Sequence, residues 1–246
     1  EFRRVLFRSA SHCGSVSAIS LGLPVSTAIP EAKGILPKAL FVGKAPISGK
    51  LKQRFVNEIE SITMLALARS ANTGLADGKL IPEVLIIGLK LTAKATEIPS
   101  EVIELIAGQR KSGIVFACVR EVPFEGRTRE ECAFAVRRAQ PGRAGHTLIY
   151  HVYAGDWQPA GECQLELTGS TIDELWASLC SQAILGTTDF ENLDARIVQH
   201  GEIARLEADV DKLTRDHQRA KNPAQRNEIY AKLHKAKTQL AQMREV

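Results

Sequence analysis

The sequence predicts an α/β protein: a mixed β-sheet with packed helices, followed by a C-terminal antiparallel helical hairpin of the coiled-coil type. Two runs rich in Ile, Val and Leu, at 81–91 and 113–119, flank a segment of helical periodicity at 96–110. Strand, helix and strand in this order are typical of a parallel crossover unit. Further along, the segment 193–246 carries the heptad spacing of apolar residues that is typical of a coiled coil.

The N-terminal part of the globular region predicts three elements. We expect a strand at 35–42, where Pro37 lies near the start and its missing N–H is tolerated. Apolar residues spaced by four, four and three predict a helix over 50–62. The apolar stretch at 62–68 either extends this helix or forms a strand, and we favour the strand.

After the crossover unit, the pattern becomes typical of antiparallel structure. Strand-like runs at 132–138 and 147–153 are separated by the turn-rich segment 140–145 and predict a hairpin. A short strand is expected at 164–167. The segment 171–185 is amphipathic and predicts a helix.

The C-terminal segment predicts two helices. Heptad seams run through 203–213 and 229–243, and they are out of phase with each other. Between them, Asn222 suits an N-cap and Pro223 suits the first helical position. We predict an antiparallel hairpin. The alternative is one continuous kinked helix, in which Pro223 would cost about 3 kcal/mol.

The first nine residues, EFRRVLFRS, match the translation of a widely used sequencing adapter, and we interpret them as an assembly artefact. The alternative is a basic leader, because Arg followed by a Ser-rich stretch imitates a transit peptide. Removing their three Arg and one Glu lowers the formal net charge from +4 to +2. The expected organisation is an artefact at 1–9, a globular α/β domain at 10–192 and a helical hairpin at 193–246.

Composition and cysteine usage indicate the class and the compartment. With 44% hydrophobic and 24% charged residues, the chain is not collagenous, of low complexity or wholly disordered. No apolar run approaches the roughly 20 residues of a membrane helix, so no membrane partner is expected. The five cysteines form no CxxC pair, which disfavours a zinc ribbon or redox dithiol and favours buried free thiols. We expect a cytoplasmic bacterial protein.

Two motifs suggest catalysis or metal binding, but neither has the residue spacing that phosphate or metal binding requires. The segment GKAPISGK at 43–50 has five residues between its glycines where a phosphate-binding loop has four. It is followed by Leu51 instead of the hydroxyl residue that holds magnesium. His146 and His151 lie five apart on a predicted strand, so they face opposite ways and cannot bind one metal without a bulge. We predict no catalytic residues, no metal ligands and no cofactor.

A divergent nuclease-like enzyme is the alternative function. Magnesium-dependent nucleases of the restriction type need a carboxylate two residues before a lysine on a strand. Gly88 occupies that position before Lys90, and Glu83 lies an odd number of residues away, on the other face. The residues that such an enzyme would use are Lys38, Glu83 or Lys90.

The densest basic region spans 120–143 and contains six arginines, but four glutamates lie among them. A solvated face of mixed charge is favoured over a modest nucleic-acid or phosphate surface, since phosphate binding usually uses unopposed cations. Trp157 is either an anchor on a binding surface or a plug at the edge of the core. The candidate binding surface comprises Lys38, Lys90, Arg137, Arg138 and Trp157.

Several segments, taken in order, resemble one bacterial family. LPKALF at 36–41 precedes KLKQRFVNEIESIT at 50–63, and IIGLKL and GIVFACV flank the crossover helix. DWQP at 156–159 and the charged AKNPAQRNEIYAKLHKAKTQL complete the pattern. Over 19–245 the chain is similar to the family known as domain of unknown function 4391. Members usually lack a proline in the helical tail, so Pro223 departs from the pattern.

The resemblance implies a context and no reaction. Such proteins are typically encoded near helicases and DNA methyltransferases in bacterial defence clusters, and no catalytic motif is established for them. We therefore expect a non-catalytic accessory protein of a DNA-processing or phage-defence system. It would bind a helicase or methyltransferase encoded nearby, or nucleic acid, and its hairpin would mediate docking or self-association.

Overall fold

The structure is a computed structural model that describes residues 9–43, 47–140 and 148–244. The chain forms two compact units, divided between Glu191 and Asn192. The first is an α/β unit and the second is a helical hairpin. None of the helices in the described ranges combines the length and apolar character that crossing a membrane requires.

The strands and helices follow in chain order. The strands of the described residues are β1 His12–Cys13, β2 Val16–Ser17, β3 Ile59–Ala68, β4 Val84–Leu91, β5 Gly113–Phe124, β6 Arg127–Ala139, β7 Tyr150–Ala154 and β8 Gln158–Pro159. The α-helices of the same residues are α1 Glu31–Gly34, α2 Ala39–Val42, α3 Gly49–Glu58, α4 Ser70–Thr73, α5 Ser100–Ala107, α6 Ile172–Leu185, α7 Leu193–Arg219 and α8 Pro223–Arg244. Short 3-10 segments lie at Val25–Thr27 and Ala160–Glu162.

Six strands form one mixed sheet in the order β3-β4-β5-β6-β7, with β8 also paired to β6. β4 and β5 are parallel and α5 connects them, so the predicted crossover unit is confirmed. The other pairs are antiparallel, including the predicted pairing of β6 with β7. The helix and strand expected over 50–68 are confirmed as α3 and β3.

β4 is buried along nearly its whole length, which shows that the sheet is covered on both faces. On one side, which we call the α5 face, α3 and α5 pack against the main apolar cluster. To this cluster β4 contributes Leu85, Ile87, Leu89 and Leu91. On the other side, the α6 face, lie α6 and the N-terminal residues 9–30. A Cβ added at Gly88 would lie 2.4 Å from the Cβ of Cys13, so this position requires glycine.

The N-terminal residues 9–30 contribute more to the core than their small, polar composition suggested. Cys13, Val16 and Leu21 are fully buried. Ala28 also forms an antiparallel bridge with Ala66, on the outer edge of β3. This segment therefore covers one edge strand and part of the α6 face.

Two predicted strands are wrong. In place of a strand over 35–42, Ile35 forms a single bridge with Thr63 and the chain then turns into α2, because Pro37 accepts a hydrogen bond from the N–H of Leu40. The predicted strand at 164–167 is irregular, although the N–H of Leu165 donates to Leu21. The short strand that does form in this region is β8, which lies before the predicted range.

Several sequence predictions lie outside the described residues. They are the adapter-like residues 1–8, residues 44–46 of the GKAPISGK segment, residues 141–145 of the predicted turn, His146, and Thr147 at the start of the predicted strand.

The long β5–β6 hairpin is a feature that the sequence analysis did not predict. Its strands pair as far as Phe124 and Arg127, and the two-residue turn consists of Glu125 and Gly126. Both turn residues have positive φ, 50° and 75°, as a type I′ turn requires. Gly126 was the local signal for it, together with the alternating side chains on either side.

The helix α6 is confirmed, and its start is fastened to a remote loop. Thr171 caps the helix by accepting from the N–H of Glu174 at 3.1 Å. The carboxylate of Asp173 accepts from three successive backbone N–H groups, those of Lys79, Leu80 and Ile81, at 2.7–3.2 Å. Desolvation raises the pKa of Asp173, but these hydrogen bonds outweigh it and hold the pKa below its ordinary value.

The C-terminal unit is the predicted antiparallel hairpin. α7 ends at Arg219 and α8 begins at Pro223. Asn222 caps α8 by accepting a hydrogen bond from the N–H of Ala224 at 2.9 Å. The seam residues that become most buried are Leu206, Leu233 and Leu240. Gln199, near the start of α7, donates to the backbone oxygen of Met243, near the end of α8, at 3.1 Å.

We predict that Asp173→Ala lowers the free energy of unfolding by about 1–3 kcal/mol, since three backbone donors lose their acceptor. A carboxylate with a lowered folded pKa stabilises the protein above its unfolded pKa of about 3.9, and this stabilisation is lost as the pH falls through the folded value. Urea unfolding from pH 7 to pH 3 measures both effects. Asp156→Ala, which removes an exposed acid, is the control; an equal loss in both variants would contradict the assignment.

Candidate functional site

The five predicted surface residues do not form one patch. Lys38 precedes α2, Lys90 lies on β4, and Arg137 and Arg138 are neighbours on β6. Because side chains alternate along a strand, Arg137 lies on the α5 face and Arg138 on the α6 face. Trp157, between β7 and β8, is partly buried against the cluster on the α5 face. Of the five, the structure places Arg137 and Trp157 on one face of the sheet edge.

Both lysines are engaged in the fold. The ammonium group of Lys38 donates to the backbone oxygen of Ile59. That of Lys90 lies 2.9 Å from Glu121 Oε1 and 3.7 Å from Glu130 Oε1. The hydrogen bond with Glu121 raises the pKa of Lys90. Lys90 thereby separates two glutamates that face each other directly across β5 and β6, where like charges would otherwise repel.

The three residues considered for a nuclease are held apart. Glu83 precedes β4 and is bound by Arg69 and Ser112, with the Ser112 hydroxyl 2.9 Å from Oε1. Burial raises the pKa of Glu83, but these hydrogen bonds outweigh it and lower the pKa. Lys90 is seven residues further along an extended strand, about 23 Å away. Within the described ranges, no group of three His, Cys, Asp or Glu side chains is placed to hold a metal ion.

A row of arginines stacked on aromatic rings follows the margin of the α5 face. Each guanidinium lies about 4 Å from a ring centroid, within the range of a cation–π contact. The three pairs and their distances are Arg129 over Phe124 at 3.9 Å, Arg120 over Trp157 at 4.0 Å and Arg137 over Tyr150 at 3.8 Å.

The same arginines are also neutralised by carboxylates. Glu131, which is 7% exposed, accepts from Arg129 Nη2 at 2.5 Å and from Arg120 Nη2 at 2.8 Å. These hydrogen bonds, the one from Arg129 first, lower the pKa of Glu131. Arg137 donates to Glu104 of α5 at 2.7 Å. This cluster, which we call the arginine–aromatic brace, joins the β5–β6 hairpin to the sheet margin and to α5.

The brace offers little unopposed charge, whereas one helix of the C-terminal hairpin is distinctly basic. α8 contains five Lys or Arg residues and a single acid, Glu228, whereas α7 contains five Lys or Arg and six Asp or Glu. Over residues 193–246 as a whole, eleven Lys or Arg stand against eight Asp or Glu, a mixed balance that hides this segregation. Counting charges on each side of Pro223 would have revealed it.

The cations of α8 are exposed, and three of them have no ion pair among the described residues: Arg226, Lys235 and Lys237. Lys232 pairs with Glu228 at 2.9 Å, and Arg244 pairs with Glu207 of α7. Arg226, Lys237 and Arg244 are separated by whole numbers of helical turns, so they lie in a line about 27 Å long. We call the exposed cations of α8 the basic helix surface.

Comparison with known proteins identifies one family. A model described as Domain of unknown function (DUF4391) matches residues 21–240, which is most of the chain and includes both units. No curated protein and no solved structure matches the chain.

We predict that Glu131→Gln destabilises the α/β unit by about 2 kcal/mol, because two guanidinium groups lose their shared charged acceptor. Chemical denaturation monitored by Trp157 and Trp176 fluorescence measures the change. Glu121→Gln is the matched control, since its side chain is 52% exposed and its ion pair with Lys90 is expected to contribute under 1 kcal/mol, as for most surface pairs. Equal stability of Glu131→Gln and the wild type would show that the brace does not support the fold.

Proposed function

This chain belongs to the DUF4391 family, and from that premise we propose that it is a non-catalytic accessory protein of a bacterial DNA-processing or phage-defence system that binds nucleic acid through the basic helix surface. The single observation that supports nucleic-acid binding is the segregation of charge onto α8. Lys and Arg side chains that are exposed and unopposed are the groups that contact phosphates.

The arrangement of α8 favours contact with the phosphate backbone over reading of bases. Its cations flank the buried seam on both sides, and the outward positions are occupied by small or neutral residues such as Ala231, Thr238 and Ala241. No aromatic side chain lies along this line, apart from Tyr230 between His217 and His234 nearer the turn. Binding through α8 would therefore depend on salt and be tolerant of sequence.

The geometry gives the nuclease alternative less support. Lys38, Glu83 and Lys90 each have their own partner in the fold, and Glu83 and Lys90 stand at opposite ends of β4. A metal-dependent displacement needs carboxylates that converge on one ion. These three residues do not converge.

We predict that the triple variant Arg226→Gln, Lys235→Gln, Lys237→Gln weakens binding to duplex DNA and reduces the slope of log affinity against log salt by about 0.9 per cation removed. Fluorescence anisotropy with labelled duplex between low and physiological salt measures both quantities. The helices should remain intact, because the three side chains are exposed.

The matched control removes three cations from the other helix, as Arg205→Gln, Lys212→Gln, Arg215→Gln. Both variants lose the same formal charge. If the α7 variant binds as weakly as the α8 variant, net charge and not the basic helix surface determines binding. If the wild type binds without salt dependence, phosphate contact is not the mechanism.

A helicase or DNA methyltransferase encoded nearby is the proposed protein partner, with the hairpin as the docking or self-association element. The hairpin supports this proposal because it forms a compact unit of its own. Deletion of residues 194–246 should abolish co-purification with the neighbouring enzyme and reduce any self-association measured by sedimentation. An unchanged complex would contradict docking through the hairpin, and co-purification by the α8 triple variant would separate docking from nucleic-acid binding.

A further inference from the structure

Two of the five cysteines lie against each other in the α/β unit. Cys132 belongs to β6, and Cys163 follows the 3-10 segment at Ala160–Glu162. The thiol of Cys163 donates to the backbone oxygen of Cys132 at 3.5 Å, and the two side chains are close enough to shift each other's pKa. The other three, Cys13, Cys118 and Cys180, are also buried.

Backbone pairing holds this contact in place. Gln158 and Pro159 of β8 pair with Cys132 and Glu131 of β6. The 3-10 segment then returns the chain, so that Cys163 lies back over the strand that β8 has just paired with. The path of the chain therefore brings Cys163 next to Cys132.

We propose that Cys132 and Cys163 form a site of reversible oxidative modification, which closes to an intramolecular disulfide when the protein meets a hydroperoxide. The Cys163 thiolate attacks one peroxide oxygen, the O–O bond breaks, and water or an alcohol leaves after taking up a proton. The Cys132 sulfur then attacks the resulting sulfenic acid, and a second water leaves. The two thiols lose two electrons and two protons to the peroxide, which is reduced.

The two cysteines have different environments, and this assigns their roles. Cys163 is 2% exposed and lies between the exposed residues Glu162 and Gln164, so of the two thiols it lies nearer the surface. The contact between the two side chains lowers the pKa of Cys163, while the same contact and burial raise the pKa of Cys132. Cys163 is therefore the attacking thiolate and Cys132 the resolving thiol.

The disulfide would tie together a large part of the sheet margin. It would join residues 31 apart in sequence, and the loop that it closes contains β7 and β8. A cross-link of this span restricts the unfolded chain, so the oxidised protein should melt several degrees above the reduced protein. In a reducing compartment such a bond is transient, as expected for a sensor and not for a structural disulfide.

The test treats the reduced, full-length protein with hydrogen peroxide, followed by denaturation, alkylation with N-ethylmaleimide and mass spectrometry. The expected result is the loss of two alkylatable thiols, a cross-linked peptide pair containing Cys132 and Cys163, and full recovery with dithiothreitol. Retention of all five thiols, over-oxidation without a cross-link, or a cross-link to another cysteine would overturn the proposal.

Cysteine variants provide the controls. Cys180→Ser should still form the cross-link, whereas Cys132→Ser and Cys163→Ser should not. If either of the last two still loses two thiols, the assigned pair is wrong. Should a variant fail to fold, peptide mapping of the wild-type protein decides the matter by itself.

Discussion

The parallel pairing of β4 with β5 is the constraint on which the rest of the α/β unit depends. Parallel strands need a crossover, and strands in the middle of a sheet need cover on both faces. α5 makes the crossover and, with α3, covers one face; α6 and the N-terminal residues 9–30 cover the other. The approach is close, since a Cβ at Gly113 would lie 2.5 Å from the ring of Trp176. The N-terminal residues are therefore part of the core and not an appendage.

The charged side chains of this protein fall into two groups: those whose ion pairs support the fold, and those that remain exposed and available for binding. The arginines of β5 and β6 are the densest in the sequence, yet Glu131 and Glu104 neutralise three of them, Arg120, Arg129 and Arg137, and aromatic rings cover these three. Planar guanidinium groups suit such stacked and hydrogen-bonded positions. On α8, by contrast, side chains of the same charge project from a helix whose single acid is Glu228. The density of basic residues along the sequence is thus a poorer guide to a polyanion surface than their surroundings.

Much of the fold was predictable, because the spacing of apolar residues along a helix or strand shows which of its faces is buried, whatever the element packs against. The crossover unit, α6, the β6–β7 pairing and the two terminal helices all had such patterns. The strand expected over 35–42 failed because Pro37 starts a short helix there and only Ile35 pairs. Local sequence carries less information about the candidate surface, because the groups that engage Lys38 and Lys90 lie on strands distant from them in the sequence.

The sequence by itself determined the order and kind of the main elements, the break at Pro223 and the family to which the chain belongs. Only the tertiary structure decided which charges are neutralised and which thiols meet. Glu131 reaches Arg120 across a hairpin, and Cys163 reaches Cys132 through the turn after β8. The physical reason is strand register: a shift of one residue moves every side chain to the opposite face, so contacts between strands exist only once the strands have paired.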